Sequence, residues 1–386
     1  MFLKYGGRNF YCFKDDFEVD LRLNKNCPQD ISKGKDFSKV MCIKGANAAG
    51  KTNILKALSF VCNFATNSFN SKPDDEIKVE SFFQNQLPVF LFCEFRSNVN
   101  SDEYRYEITL SKKKVLIESL FLLNNGKKQR ALFHREGNSI KELYSTYEEF
   151  KKIPQIRDNA SLISIANQHE ILCSLEAYWI FNTVITNVNH IGFKDLTPDN
   201  LHKYYFDNSK ALDFVTNLLR RFDTGIHDLK IDTYTNNEGD EIYYPLFIYH
   251  VDDQEHSLRL HQQSSGTRRL YHLLGLVYLV VDLAHDTPYT PTFIADELDL
   301  HLHSKILPEL TKIFEESNKA QLIFTCQNDQ ILDSMGKYRT TLINKEENES
   351  YSYRLDELPS DLLRNNRPIT PHYTNGSIGG EPNIEG

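Results

Sequence analysis

Basic charge is scarce in this 386-residue chain. Its 53 acidic residues outnumber its 44 Lys and Arg, which gives a net charge of -9 and a pI near 5.8. No global positive field is therefore available for nonspecific binding to DNA. Long apolar runs are missing too. The longest, Leu273–Val281, falls far short of the roughly 20 residues that a membrane-spanning helix needs. The seven cysteines contain no Cys-x-x-Cys pair and no His-linked metal spacing. With no signal-peptide pattern, they point to reduced thiols and a cytoplasmic protein without a membrane partner. Sustained heptads are absent as well, which excludes a long coiled-coil arm.

Against that background, residues 45–52 read GANAAGKT, and Gly45, Gly50, Lys51 and Thr52 fill every fixed position of GxxxxGK[ST]. The apolar strand Val40-Met41-Cys42-Ile43 precedes the loop. Ile54, Leu55 and Leu58 then share one face of a following helix. Glycines let successive backbone N–H groups converge on phosphate oxygens at a helix N-terminus. The expected nucleotide contacts run through Gly45, Asn47, Ala48, Ala49, Gly50, Lys51, Thr52 and Asn53. Lys51 would reach the β- and γ-phosphates, and Thr52 would offer its hydroxyl to Mg2+. ATP and Mg2+ are the expected cofactors.

Downstream, Thr292-Phe293-Ile294-Ala295 reads as an apolar strand that delivers Asp296 and Glu297 at its C-terminal end, the edge where parallel sheets carry ligands. Asp296 suits control of Mg2+, directly or through a second shell. Glu297 suits orienting and partly deprotonating an attacking water. A third segment, Ser264-Ser265-Gly266-Thr267, precedes a helix expected from about Arg268 to Leu283. Serine and glycine there can cap the helix and leave free N–H groups as an anion site.

The order and spacing of the three segments resemble the ABC-type ATPase heads of the SMC, RecF and OLD-like families. That resemblance implies an α/β fold: a P-loop head with an N-terminal antiparallel sheet, a mixed or parallel core sheet and a helical insertion. It also implies a homodimer with composite ATP sites, in which Ser264 and Gly266 act in trans, Lys51 and Glu297 in cis, and Asp299 lies in the interface loop. The blocks QQSSGTRRLYHLLGLVYLV, FIADELDLHLHSKILPELTKIF and QLIFTCQNDQILD are similar to AAA-family ATP-binding proteins of phage-defence and abortive-infection operons. So is the C-terminal end, Arg364 followed by Tyr373-Thr374-Asn375-Gly376-Ser377-Ile378-Gly379-Gly380-Glu381-Pro382. The likeness covers roughly 1–135 and 245–386. It implies a sensor or scaffold whose ATP state restrains or licenses a separately encoded nuclease or toxin. DNA or a phage component is a further candidate partner. A RecF-like DNA-repair ATPase and a nucleotide-binding structural scaffold are the alternatives.

One position departs from the ABC pattern. After Leu322-Ile323-Phe324-Thr325, such heads usually place a histidine against the γ-phosphate, and this chain has Gln327. Glutamine can hydrogen-bond a phosphate oxygen or a water, but it carries neither a proton nor a positive charge. Gln327 is thus a candidate catalytic contact, with slow hydrolysis as the consequence. His301 and His303, at i,i+2 after the acidic strand, suggest a metal pair, but their loop position favours interface or solvent roles.

The remaining segments order the chain into three parts: 1–138, the N-terminal part of the head; 139–240, a compact helical insertion; and 241–386, its C-terminal part. Alternation through residues 86–135 continues the N-terminal sheet. Gln84 and Gln86 are the candidates for a Q-loop. Ile242–Val251 is expected as a strand pair, and the last twenty residues as a loop-rich tail. Arg220-Arg221 reads as an ordinary basic helix end. No segment after residue 340 pairs a strand-end Glu with a later Asp-x-Asp, so no Toprim-type nuclease is expected on this chain.

Overall fold

The computed structural model describes residues 1–194, 200–222, 224–317, 319–359, 362–364 and 367–381. The first third supplies β1 (Phe2–Arg8), β2 (Phe17–Asp20), α1 (Gln29–Ser32), β3 (Val40–Gly45), α2 (Lys51–Asn67), β4 (Val89–Arg96), β5 (Glu103–Leu110) and β6 (Val115–Asn124). Next come β7 (Lys127–Glu136), β8 (Ser139–Leu143), α3 (Leu162–Gln168), α4 (Leu175–Asn182), β9 (Val184–Thr186), α5 (Leu201–Asp207) and α6 (Ser209–Arg221). After them run β10 (Asp228–Thr235), β11 (Glu241–Val251), β12 (Gln254–Arg259), α7 (Ser265–Asp286) and β13 (Thr292–Ala295). The chain closes with α8 (Ile306–Glu316), β14 (Gln321–Thr325), α9 (Ile331–Met335), β15 (Thr340–Glu346), β16 (Glu349–Arg354) and α10 (Thr370–Thr374).

Two sheets carry the architecture. A seven-stranded sheet in the order β2-β1-β4-β5-β6-β7-β8 is antiparallel throughout. Strand β5 alternates half-buried and buried residues along its length, as one covered face requires. The core sheet runs β16-β15-β3-β14-β13-β9 and is parallel except for the β15–β16 hairpin. Every residue of β3, β13 and β14 is buried, because both faces of this sheet are covered. Met41, Ile43, Ile294 and Ile323 pack toward α2 and the antiparallel sheet. Val40, Cys42, Phe293, Leu322 and Phe324 pack toward α6, α7 and α8 on the other side.

Residues 139–240 contribute α3 to α6, and they also send β9 to the edge of the core sheet and β10 to a third sheet, β10-β11-β12. The expected strand pair at 242–251 is corrected to one strand, β11, hydrogen-bonded on both sides. Its turn chemistry lies outside the strand: Asp252 and Asp253 both have positive φ and close the β11–β12 hairpin. Helix α7 begins earlier than expected, at Ser265, because the Ser264 hydroxyl accepts from Thr267 N. Arg220 and Arg221 are both paired within the chain, to Asp228 and Glu309. Among the described residues no helix is long and apolar enough to cross a membrane.

The C-terminal segment does not trail. Ile369, Tyr373 and Ile378 are buried with Leu332, Leu342 and Leu355 in a small core of their own. Pro382, part of the C-terminal pattern, lies outside the described residues.

One ion pair is locked inside the antiparallel sheet. Arg135 Nη2 lies 2.7 Å from Glu118 Oε2, and both side chains are fully buried. Glu118 also accepts from the Tyr106 hydroxyl, the Ser161 hydroxyl and Leu162 N. Arg135→Leu would leave that carboxylate uncompensated in the interior, so it is expected to cost about 3–5 kcal/mol. Urea unfolding at pH 7 measures this, and a loss under about 1 kcal/mol would show that the pair is energetically idle.

Candidate functional site

The C-terminal ends of β3, β14 and β13 lie side by side, because Ile43 pairs with Thr325 and Phe324 with Ala295. This level edge brings the loop after β3 to the acidic residues after β13. Ala48 and Gly50 both take left-handed backbone conformations, at φ 62° and 114°. Such turns of backbone line up N–H groups as an anion nest. Gly50 is also sterically required, since a Cβ there would stand 2.7 Å from Cys12 Sγ.

Lys51 folds back over this nest, its ammonium donating to Gly45 O at 2.8 Å and Ala46 O at 2.9 Å. Burial, and then the neighbouring Lys44 ammonium, hold its pKa below the ordinary lysine value. The charge of an anion in the nest would oppose both effects. At the next residue, Thr52 Oγ1 donates to Asp296 Oδ2 at 2.6 Å. The other carboxylate oxygen, Oδ1, accepts from Thr325 Oγ1 at 2.5 Å. A hydroxyl and a carboxylate are the hard oxygen donors that suit Mg2+, which usually takes one or two protein oxygens beside phosphate and water. The residues present therefore fit a Mg–nucleotide. Among the described residues no group of three or more His, Cys, Asp or Glu is placed to hold a metal. Exposed His301 and His303 belong to no such group, and His303 Nδ1 accepts from Lys305 N.

Glu297 is half-buried and adopts φ 47°, uncommon for a non-glycine residue. Its N–H donates to Thr325 Oγ1 at 2.9 Å. Asp299 accepts from Gln327 N at 3.1 and 3.0 Å and from Asn328 N at 2.8 Å. It thereby ties the loop after the acidic strand to the loop after β14. Ser264 is exposed, with its hydroxyl engaged by Thr267. A Cβ on Gly266 would meet His301 O at 2.8 Å, so the start of α7 packs against the loop after the acidic strand. Among the described residues no hydrogen bond links Ser264 or Gly266 to residues 45–52.

Gln84 lines a cavity of about 290 Å³ together with Asn53, Tyr11 and Cys12, beside the start of α2; Gln86 does not line it. A larger cavity of about 820 Å³ follows the flank of α2 past Lys56, Ser59 and Asn63 to Phe181 and His190, and does not include the phosphate loop.

Sequence reasoning missed Asn187. This buried residue follows β9 and grips the Asp296 backbone on both sides. Its Nδ2 donates to Asp296 O at 2.8 Å, and its Oδ1 accepts from Asp296 N at 2.7 Å. Only the end of a short apolar strand marks it in the sequence. Asn187→Ala would orphan two buried backbone groups, with an expected cost of about 1–3 kcal/mol in urea unfolding. A change within about 0.5 kcal/mol would show that water replaces the side chain there.

A sequence model of the family described as "AAA domain, putative AbiEii toxin, Type IV TA system" matches residues 40–333. No curated protein matches the chain. Among solved structures, an Smc head bound to the C-terminal winged-helix domain of ScpA is 13% identical, with a TM-score of 0.46 over 92% of this chain and 99% of that one. The SMC head domain from Thermotoga maritima is 14% identical, at 0.44 over 92% and 98%. The recombination mediator protein RecF is 12% identical, at 0.42 over 91% and 98%.

Proposed function

The chain belongs to this AAA-domain family, with an ABC-type P-loop ATPase fold, and from that premise we propose that it is an ATP-gated subunit of an antiphage defence complex. It binds ATP, dimerises and restrains or licenses a separately encoded nuclease or toxin. The observation that carries the nucleotide part is the contact of Thr52 with Asp296 beneath a lysine folded onto its own loop. An ammonium, a hydroxyl and a carboxylate gathered beside a nest of backbone N–H groups are fitting partners for phosphate and Mg2+.

In this reading Gly45, Asn47, Ala48, Ala49, Gly50 and Asn53 hold the nucleotide, with Lys51 on the β- and γ-phosphates. Thr52 and Asp296 would hold Mg2+, which neutralises phosphate charge when bound. Glu297 orients the attacking water, and Gln327 hydrogen-bonds at the γ-phosphate side. Exposed Ser264 and the N-terminus of α7 that it caps suit a γ-phosphate held by the second subunit. Nucleotide binding and dimerisation are then linked, because ATP forms part of the interface. Asp299 adjoins that interface.

With Gln327 in place of an ionisable side chain, turnover of the purified chain without partners is expected below about 10 s⁻¹. A steady-state phosphate-release assay returning that rate or more refutes the slow switch. Glu297→Gln is expected to accumulate an ATP-bound dimer, read by light scattering with and without ATP. If oligomer state and turnover are both unchanged, a nucleotide-binding scaffold is the better description. In cells carrying the gene with its neighbours, Lys51→Ala should abolish protection against phage. Undiminished protection would remove ATP gating, and ATP-dependent affinity for duplex DNA ends without another protein would favour a repair role.

A further inference from the structure

Strand β3 is apolar from Val40 to Ile43 and then places a lysine, Lys44, directly before the phosphate loop. Its side chain is only 3% exposed. Burying an ammonium is costly unless charged and polar partners surround it. Lys44 Nζ has such partners: Gln327 O at 2.5 Å, Asp329 Oδ1 at 2.6 Å and the Tyr373 ring, whose centroid lies 5.5 Å away.

The partners share a theme. The peptide unit between Gln327 and Asn328 has its C=O on the Lys44 ammonium and its N–H on the Asp299 carboxylate. Asp299 takes the Gln327 N–H as well. The backbone at Gln327 is thus held between two opposite charges, from the strand before the phosphate loop and from the loop after the acidic strand. Charge-assisted hydrogen bonds of this kind are the strong ones.

The C-terminal segment closes the arrangement from outside. Ile369 N and Thr370 N donate to Asp333 Oδ1 at 2.6 and 3.0 Å, and Thr370 Oγ1 donates to Asp329 O at 3.2 Å. Tyr373 lies against Lys44, and its hydroxyl donates to Gly380 O at 2.9 Å. Tyr353 donates to Ile378 O at 2.5 Å, and a Cβ on Gly379, at φ 75°, would fall 2.4 Å from that tyrosine's oxygen. Only glycine lets the segment lie this close.

We infer that Lys44 is a positioning residue for Gln327, and that the segment Ile369–Glu381 is built into the ATP site because it holds Lys44 and the loop 327–333 in place. This rests on the assignment of Gln327 to the γ-phosphate side made under the proposed function. A partner that lifted the segment would loosen Gln327 without touching the phosphate loop.

The test uses the full chain and three variants: Lys44→Met, Lys44→Arg and Tyr373→Leu. The first readout, amide hydrogen exchange without nucleotide, does not depend on hydrolysis. Exchange over residues 325–330 is expected to rise about tenfold or more in Lys44→Met and Tyr373→Leu, and to return toward wild type in Lys44→Arg. Strands β5 and β6 serve as the folding control. The second readout is a split of kinetic constants: kcat falls about tenfold in Tyr373→Leu, which leaves the charge beside the phosphate loop unchanged, while ATP affinity stays within about twofold. Unchanged protection over 325–330 in folded Lys44→Met overturns the inference. So does raised exchange with unchanged kcat, because Gln327 would then be mobile without consequence. A wild type that neither binds nor hydrolyses ATP refutes the proposed function and leaves the exchange comparison to decide the brace alone.

Discussion

The placement of the Asp296 carboxylate is the constraint on which the rest of this structure depends. Three parallel strands must end level for that group to meet both Thr52 and Thr325, and their register does this residue by residue. Burying a carboxylate is unfavourable unless its lone pairs are matched, and Asp296 is only 2% exposed. Two hydroxyls answer its oxygens, while Asn187 answers its backbone from the end of β9. The edge of the core sheet, the helix after the phosphate loop and the strand before the second loop are therefore tied to one residue. Both large hydrophobic cores are needed to hold those strands level, which is why so much protein surrounds so small a site.

The parts of this site that can be read in the sequence are those whose signal is local. Gly45 to Thr52 span eight positions, and glycines at fixed offsets mean backbone geometry whatever lies elsewhere. Asp296 and Glu297 are legible because an apolar strand ending in acids stands out by its period. The α7 cap is recognisable at Ser264, but its helix is expected too late, since a serine followed by Ser265 and Gly266 lowers helix propensity. The strand pair expected at 242–251 fails for a related reason: alternation says strand, and only the turn residues say how many. Two consecutive aspartates after Val251 supply that turn, with backbone conformations that sequence alone marks weakly.

Contacts between side chain and backbone across long sequence distances leave no such signal. Asn187 serves residue 296, and Lys44 serves residue 327, each through geometry that has no periodic trace. Lys44 is instructive because a lysine at a strand end usually reads as solvated. Here it is buried, and its meaning lies in the carbonyl and carboxylate that surround it. The glycines at 379 and 380 form a recognisable pattern, yet their steric purpose needs the Tyr353 and Tyr373 rings in place. The loop-rich segment expected there is, through Glu381, fitted to its own chain.

On the proposed reading, one protomer completes part of the site and leaves another part to a second copy. Lys51, Thr52 and Asp296 are brought together within a single chain, so the cis half of the proposed site needs no second copy. The start of α7 is different. Ser264 uses its hydroxyl on its own helix and stands exposed, with a helix field directed outward and Gly266 pressed against the His301 carbonyl. On the proposed reading, an anion delivered from a second molecule would meet that field. On the reading proposed here, the free energy of ATP binding is therefore shared between filling the cis nest and recruiting the trans helix. A switch of that kind needs the bound state to last, and on the same reading a neutral Gln327 in place of an ionisable side chain at the γ-phosphate side favours persistence over turnover.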